Sequence, residues 1–173
     1  GSIALLRQTL LDAAWYGRCA ATTNLAPGLL AKAPQPSATL QALLDHRGLP
    51  LWCDSTDELE SLRLLQVAAE FERTAVVIGS GMEVRRLAAL IASKAPMVLP
   101  LQFPEAPDVS TAAAIEQVSL RQLQSWEQAV TNTKRLLDAG ATVAWTTARM
   151  RDKKTFRTAM REAMACGITA EQA

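Results

Sequence analysis

The chain has 173 residues, of which 49% are hydrophobic and 20% charged, so it is long enough for one well-buried domain of ordinary globular composition. Its 18 basic and 17 acidic residues leave a formal charge of +1, which gives no electrostatic support to a nucleic-acid partner. The apolar runs fall far short of the roughly 20 residues that span a bilayer, so we expect no membrane partner.

The N-terminal segment GSIALLRQTLLDAAW is not typical of a signal peptide, because Arg7 and Asp12 interrupt its apolar run and no basic segment precedes it. The three cysteines, Cys19, Cys53 and Cys166, are odd in number and widely spaced. That pattern favours reduced thiols over a disulfide framework or a zinc motif. The sequence therefore predicts a cytoplasmic protein.

Residues 1–47 are predicted to form helices and a loop that pack on the rest of the chain. Apolar residues at helical spacing predict a first helix over residues 3–16. Residues 17–37 contain three prolines and two glycines and show no clear period, so they are predicted to be a loop. A short helix over residues 38–45 is predicted to end before Gly48.

Residues 48–173 alternate apolar runs with helical segments. The runs LPLWCD, TAVVIGS, APMVLPLQF and ATVAWTTA predict four strands. Helical segments follow each of them, with two helices around SLRQLQSWEQ and NTKRLLDAG and the start of a last helix at ITAEQA. Four such units predict an α/β fold with a parallel sheet covered on both faces. A small doubly wound sheet and part of a (β/α)8 barrel both fit this pattern.

Asp54, flanked by Cys53 and Ser55, ends the first predicted strand, where α/β folds usually bind their ligands. The helix that follows offers a structural alternative, because Ser55 and Glu58 have the spacing of a capping box. Ser80 and Glu83 have the same spacing, and Asp152 is a predicted N-cap. The GSG at residues 79–81 lacks the lysine of a phosphate-binding P-loop and is predicted to be a tight turn.

The lone histidine, His46, is interpreted as a helix-end surface residue, because one histidine cannot build a histidine-rich metal site. Trp15, Trp52, Trp126 and Trp145 all fall within predicted elements and are interpreted as core or interface packing. By the residues alone, no catalytic constellation is complete in this chain.

Six stretches together resemble the imidazolonepropionase-like branch of the amidohydrolase superfamily over nearly the whole chain. They are IALLRQTLLDAAWY, DELESLRLLQVAAEF, VVIGSGMEVRRLAAL, VLPLQFPEAPDV, SLRQLQSWEQA and VAWTTARMRDKKTFRTAMREAMACGITAEQA. The resemblance implies a partial (β/α)8 TIM barrel, with the four β/α units of residues 48–173 as the fifth to eighth. It also implies a missing N-terminal half-barrel as partner, or self-association of the outer strands.

Complete members of such a family hydrolyse C–N bonds with water activated by zinc or another divalent metal. The family's ligand positions on the fifth, sixth and eighth strands fall at Asp54, Ser80 and Ala148, although a shift of two residues would replace Asp54 by Trp52. Because these positions are substituted, we expect no metal or other cofactor in this chain and an incomplete, inactive fragment of an amidohydrolase-like protein. Whether the parent is an enzyme stays open.

The alternative is a metal-free, degenerate barrel that binds a small ligand or serves as a structural or interaction module. In that case the expected ligand-binding residues at the barrel mouth are Asp54, Ser80, Gln102, Thr147 and Arg149. A third interpretation, an independent doubly wound domain that binds a nucleotide near GSG, depends on a motif that is only partly present.

Overall fold

The computed structural model describes residues 1–25 and 35–172, which form two compact units. The first unit comprises Gly1–Leu51 and Gln66–Thr74, and the second comprises Trp52–Leu65 and Ala75–Ala173.

Two helices build most of the first unit, α1 (Ser2–Leu25) and α2 (Ala38–Asp45). They approach closely at Gly17 of α1, where an added Cβ would lie only 3.1 Å from the side chain of Leu44 in α2. Leu10 and Ala13 of α1 are buried, as the helical period of the sequence predicts.

The prediction of a loop over residues 17–37 is wrong for its first part, because α1 continues through this stretch to Leu25. Gly17 does not end the helix, since its missing side chain makes room for Leu44. The first proline of the stretch, Pro27, lies beyond the described part of α1. The rest of the predicted loop, residues 26–34, lies outside the described residues.

Strands and helices alternate from Leu51 onward. The strands are β1 (Leu51–Asp54), β2 (Ala75–Ile78), β3 (Met97–Pro100) and β4 (Val143–Thr146). The helices are α3 (Glu58–Glu70), α4 (Leu87–Ala92), α5 (Ala112–Gln117), α6 (Leu120–Asp138) and α7 (Phe156–Ala165), with short 3-10 helices at Glu83–Arg86 and Lys153–Thr155.

Two helix predictions need correction. A single helix, α6, replaces the two helices predicted around SLRQLQSWEQ and NTKRLLDAG, because no glycine or proline interrupts this stretch. Near the C-terminus, the N–H of Gln172 donates to the carbonyl oxygen of Thr169 at 3.0 Å. The described residues there form one turn, and the predicted start of a helix is not formed in them.

The four strands form one parallel sheet in the order β1-β2-β3-β4. Val77 lies beside Met97, and Leu99 lies beside Trp145. The predicted α/β fold with four parallel strands is therefore confirmed. Consecutive strands are neighbours throughout, so the sheet has no point at which the strand order reverses.

One face of the sheet carries the core. Val77, Met97 and Leu99 are buried there together with Leu136 of α6. Residues of α3 and α4 pack against this cluster, namely Leu65, Leu87 and Ile91. Trp145 joins the cluster to a second one, which α7 builds with the segment after β3 through Leu101, Ala159, Ala163 and Ile168. Helices α3, α4, α6 and α7 thus pack on the same side of the sheet.

The opposite face is open in the described part of the chain, contrary to the expectation of two covered faces. Trp52 is 65% exposed, Ala144 is exposed, and Ile78 and Val98 are only half-buried. Trp15 and Trp126 are also about half exposed, at 50% and 46%. Core packing is therefore confirmed for Trp145, whereas the other three tryptophans do not pack in the core, and interface packing stays a prediction for them.

Candidate functional site

The carboxyl ends of all strands in a parallel sheet lie along one edge, and α/β proteins usually bind ligands there. The residues predicted to bind a ligand all end or closely follow a strand. They are Asp54 after β1, Ser80 after β2, Gln102 after β3, and Thr147 and Arg149 after β4. The structure therefore places all five at this edge.

Arg149 connects three of the loops at the edge. Its Nη2 donates to the carboxylate of Asp54 and to the carbonyl oxygen of Ser55, the latter at 2.8 Å. Its Nη1 donates to the carbonyl oxygen of Gly79 at 3.2 Å. Four strands at the usual spacing would place β1 about 14 Å from β4 in a flat sheet. The Arg149 side chain therefore joins the loop after β4 to the ends of β1 and β2.

The backbone of Arg149 is in the left-handed region, with φ of 65°. A residue with a Cβ pays roughly 1–2 kcal/mol for this conformation, so the contacts of its guanidinium must hold it there. Thr147 and Ala148 form the turn that leads into it, closed by the Met150 N–H donating to the Thr147 carbonyl oxygen at 3.2 Å.

A cleft of about 300 Å³ lies beside Arg149. Ser80 and Gln102 line it together with Arg149, so the structure brings three of the five predicted residues into one cleft. The remaining lining residues are Met82, Pro100, Phe103, Pro104 and Ser125. Gln102 is exposed, and its side chain forms no hydrogen bond with another described residue, so solvent or a ligand can reach its amide.

Behind the cleft, the fully buried Glu83 organises the turn after β2. Its Oε1 accepts hydrogen bonds from the N–H groups of Ser80 and Gly81, at 2.6 and 3.1 Å. Its Oε2 accepts one from Nδ2 of Asn132 in α6, at 2.7 Å. Asn132 in turn accepts from the N–H of Val84 at 2.8 Å, so one buried network fixes the turn against α6.

The same network explains the GSG sequence. A Cβ on Gly79 would lie 2.4 Å from Oε1 of Glu83 and 2.7 Å from Cδ2 of Leu99, so no side chain fits there. Gly81 has a φ of 90°, which favours glycine. The N–H groups of Ser80 and Gly81 already donate to Glu83, so they do not form a phosphate-binding loop.

The capping box predicted from Ser55 and Glu58 is wrong. Ser55 is buried, and its hydroxyl is hydrogen-bonded to Oγ of Ser61 at 2.7 Å and to the carbonyl oxygen of Ile78 at 2.9 Å. The start of α3 is capped by Asp57 instead, whose Oδ1 accepts from the backbone N–H of Leu59 and of Glu60, both at 2.8 Å.

The second predicted box is half right. Glu83 reaches back to the N–H of Ser80, as predicted. The Ser80 hydroxyl, however, accepts from the backbone N–H of Met82 at 3.3 Å and not from the backbone N–H of Glu83. The predicted N-cap Asp152 is confirmed, because its carboxylate accepts from the N–H of Lys154 at 2.9 Å.

Hydrogen bonds at the start of α3 lower two carboxyl pKa values. The backbone N–H of Glu60 lowers the pKa of Asp57, and that of Leu59 adds to the effect. The backbone N–H of Thr56 lowers the pKa of Glu60, with further contributions from the Thr56 hydroxyl and from the charge of Arg149. Both carboxylates therefore remain ionised to lower pH than ordinary surface acids.

The residues at the implied metal positions do not fit a metal ion. The Asp54 carboxylate is paired with Arg149, the Ser80 hydroxyl is hydrogen-bonded within its own turn, and Ala148 has no donor side chain. Within residues 1–25 and 35–172, no three His, Cys, Asp or Glu side chains come together as a metal site would require. Zinc sites in proteins have three or four such ligands.

A second cavity of about 600 Å³ lies between the loops after β3 and β4 and helix α7, and Gln102, Phe103 and Pro104 line both it and the smaller cleft. An exposed ion pair of 2.7 Å between Arg151 and Glu105 joins two of its lining residues.

Two residues of the site, Phe103 and Asn132, were not predicted from the sequence. Asn132 had a signal, since it lies at helical spacing between Ala129 and Leu136 on the apolar side of α6.

No model of a protein family matches the sequence, and no curated protein and no solved structure is significantly similar to it. None of the helices in the described residues is long and apolar enough to cross a membrane. The resemblance to amidohydrolases therefore rests on the sequence stretches alone.

Proposed function

We propose that this chain comprises the fifth to eighth β/α units of an amidohydrolase-like (β/α)8 barrel and is catalytically incomplete as it stands. Two features support this. The strand order is sequential, and helices α3, α4, α6 and α7 pack on one face of the sheet. A doubly wound sheet reverses its strand order and carries helices on both faces, whereas a barrel winds in one direction with its helices outside.

The contact between Arg149 and Asp54 carries the functional part of the proposal. In the family that the sequence resembles, side chains at the ends of these strands hold a divalent metal. Here a guanidinium, whose charge is permanent, binds the one carboxylate and two carbonyl oxygens of neighbouring loops. We infer that Arg149 replaces a metal ion as the counter-ion of Asp54, and that the unit is a metal-free binding module rather than a metal-dependent hydrolase.

The ligand that suits the cleft is small, mostly apolar and uncharged, with one amide or hydroxyl group. Asp54 neutralises Arg149, so no net charge at this position attracts an ion. Phe103, Pro100 and Met82 offer apolar surface, and the Gln102 amide offers two N–H donors and a carbonyl acceptor.

Zinc, iron and manganese analysis of the purified chain tests the metal-free proposal. The exposed Cys166 is first replaced by serine, so that a surface thiol does not take up zinc adventitiously. We expect no stoichiometric metal, both in this background and after Asp54→Ala. One metal per chain that is lost in Asp54→Ala and retained in Asp45→Ala, an exposed carboxylate elsewhere, would overturn the proposal.

A structural or interaction role is the second candidate, and the open face of the sheet favours it. In the described part of the chain, β1 and β4 each have a strand neighbour on one side only. Such edges pair readily with further strands, and the exposed Trp52 adds apolar surface beside one of them.

A further inference from the structure

A groove of about 500 Å³ in the first unit has a chemistry unlike that of the sheet edge. It lies between α1, α2 and the segment that follows α3. Apolar residues, among them Leu10, Ala13 and Leu44, line it, and Arg18, Arg47 and Arg73 line it as well. No acidic residue lies among the lining residues, so the groove combines an apolar surface with uncompensated positive charge.

Arg73 is the fixed charge of this groove. Its Nη2 donates to the carbonyl oxygens of His46 at 3.4 Å and Leu49 at 3.0 Å, which hold the side chain in place. Its Nε is buried and has no acceptor among the described residues. A charge that is partly removed from water and lacks a counter-ion is unfavourable, and a bound anion would relieve that cost.

The other two arginines, Arg18 on α1 and Arg47 after α2, contrast with Arg7, which also lies on α1. Arg7 of α1 forms two hydrogen bonds of 2.7 Å with the carboxylate of Glu70, which raises the pKa of Arg7. Arg18 and Arg47 form no ion pair with any described carboxylate, and both are exposed. Three guanidinium groups therefore line one apolar groove without an acidic partner among the described residues.

We propose that this groove binds the carboxylate of a medium-chain fatty acid, with the acyl chain along α1 and α2 and the carboxylate at the arginines. Guanidinium groups bind carboxylates with strong, charge-assisted hydrogen bonds. The apolar lining, which includes Phe71 and otherwise aliphatic side chains, suits an alkyl chain and has few polar groups to recognise a sugar or a nucleotide. The proposal does not depend on the function of the sheet edge.

Calorimetric titration of the full chain with decanoate below its micelle concentration tests this, with decanol and decyltrimethylammonium as neutral and cationic ligands of equal chain length. We expect one decanoate per chain, with an affinity that falls as salt is added. Decanol binds at least about tenfold more weakly, the factor that about 1.4 kcal/mol produces, and the cation does not bind.

The arginine variants localise the site. Arg47 is exposed, so Arg47→Gln folds normally and weakens decanoate binding about tenfold, whereas Arg7→Gln on α1 leaves it unchanged. Arg73→Gln, checked for folding by circular dichroism, weakens it further. Three results would each overturn the proposal: no saturable decanoate binding, equal binding of decanol, or unchanged binding in Arg47→Gln and folded Arg73→Gln. Binding only to anionic vesicles would assign the groove to a membrane surface and overturn it as well.

Discussion

Oε2 of Glu83 accepts a hydrogen bond of 2.7 Å from Nδ2 of Asn132, and neither side chain is more than 1% exposed. The two residues are 49 positions apart, and their contact joins the turn after β2 to helix α6. Asn132 also accepts from the backbone N–H of Val84. Removing the Asn132 amide therefore leaves a buried carboxylate oxygen and a partly buried N–H group without partners.

Asn132→Ala is expected to lower the free energy of unfolding by about 2–4 kcal/mol, because each buried polar group without a partner costs about 1–3 kcal/mol. Urea denaturation followed by circular dichroism measures the change. Gln124→Ala, at an exposed position of the same helix, is the matched control and should stay within about 0.5 kcal/mol of the parent. Equal effects of the two substitutions would contradict a structural role for the pair.

Gly79→Ala is expected to destabilise the protein by about 1–3 kcal/mol, because the new methyl group would overlap Oε1 of Glu83 and the side chain of Leu99. Gly48→Ala is the control, since a Cβ at Gly48 meets nothing within 4 Å. Thermal unfolding of both variants compares them directly. Tolerance of alanine at position 79 would mean that Glu83 can move away from the turn.

Arg149→Met is expected to cost about 1–3 kcal/mol, because the carbonyl oxygens of Ser55 and Gly79 lose their donor. Asp54→Ala should cost less than about 1 kcal/mol, because its side chain is 67% exposed and water replaces the ion pair. Urea denaturation of both variants tests the order. A larger loss for Asp54→Ala would show that the carboxylate, not the guanidinium, holds the edge together.

The sequence predicts the sheet well because strand periodicity and β-branched runs are local signals, and all four strands form where the apolar runs stand. The sequence predicts the N-terminal caps of the helices less well. Ser55, the predicted cap of α3, is hydrogen-bonded in the interior to Ser61 and Ile78. Asp57, two residues later, caps the start of the helix instead. Tertiary contacts decide between neighbouring polar residues, and spacing alone does not reveal such contacts.

At the sheet edge, the sequence likewise predicts which residues lie together but does not predict the long-range contacts between their side chains. That Asp54, Ser80, Gln102 and Arg149 share one edge follows from the rule that parallel strands end together. That the Arg149 side chain reaches β1 does not follow, since Asp54 is 95 positions away and the contact depends on a left-handed residue in a loop. Asn132 was missed because a polar residue on an apolar helix face has no visible partner in a linear sequence.

The stability of α3 is expected to depend on pH through Asp57. Hydrogen bonds from the backbone N–H of Glu60 and of Leu59 lower its pKa from the ordinary value of 3.8. A carboxyl whose pKa is lower in the folded state stabilises the fold above its unfolded pKa, and this contribution is lost as the pH falls through the folded pKa. Asp57→Asn therefore destabilises the protein at neutral pH, and its difference from the parent shrinks below about pH 4. A difference that is constant with pH in urea titrations would contradict this.

The open sheet face leads to the last prediction, which is that the 173-residue chain self-associates. β1 and β4 each end the sheet in the described residues, and their outer edges offer backbone groups to a further strand. Trp52 and Ala144 lie on the open face of these strands and are exposed.

We expect Trp52→Lys and Ala144→Lys to shift the chain towards monomer, because a charged side chain on an edge strand opposes edge-to-edge pairing. Trp126→Lys, an exposed position on α6, should leave the distribution unchanged. Sedimentation velocity over a range of concentrations distinguishes these outcomes, and a monodisperse monomer of the parent chain at high concentration would show that the open face and edges do not associate.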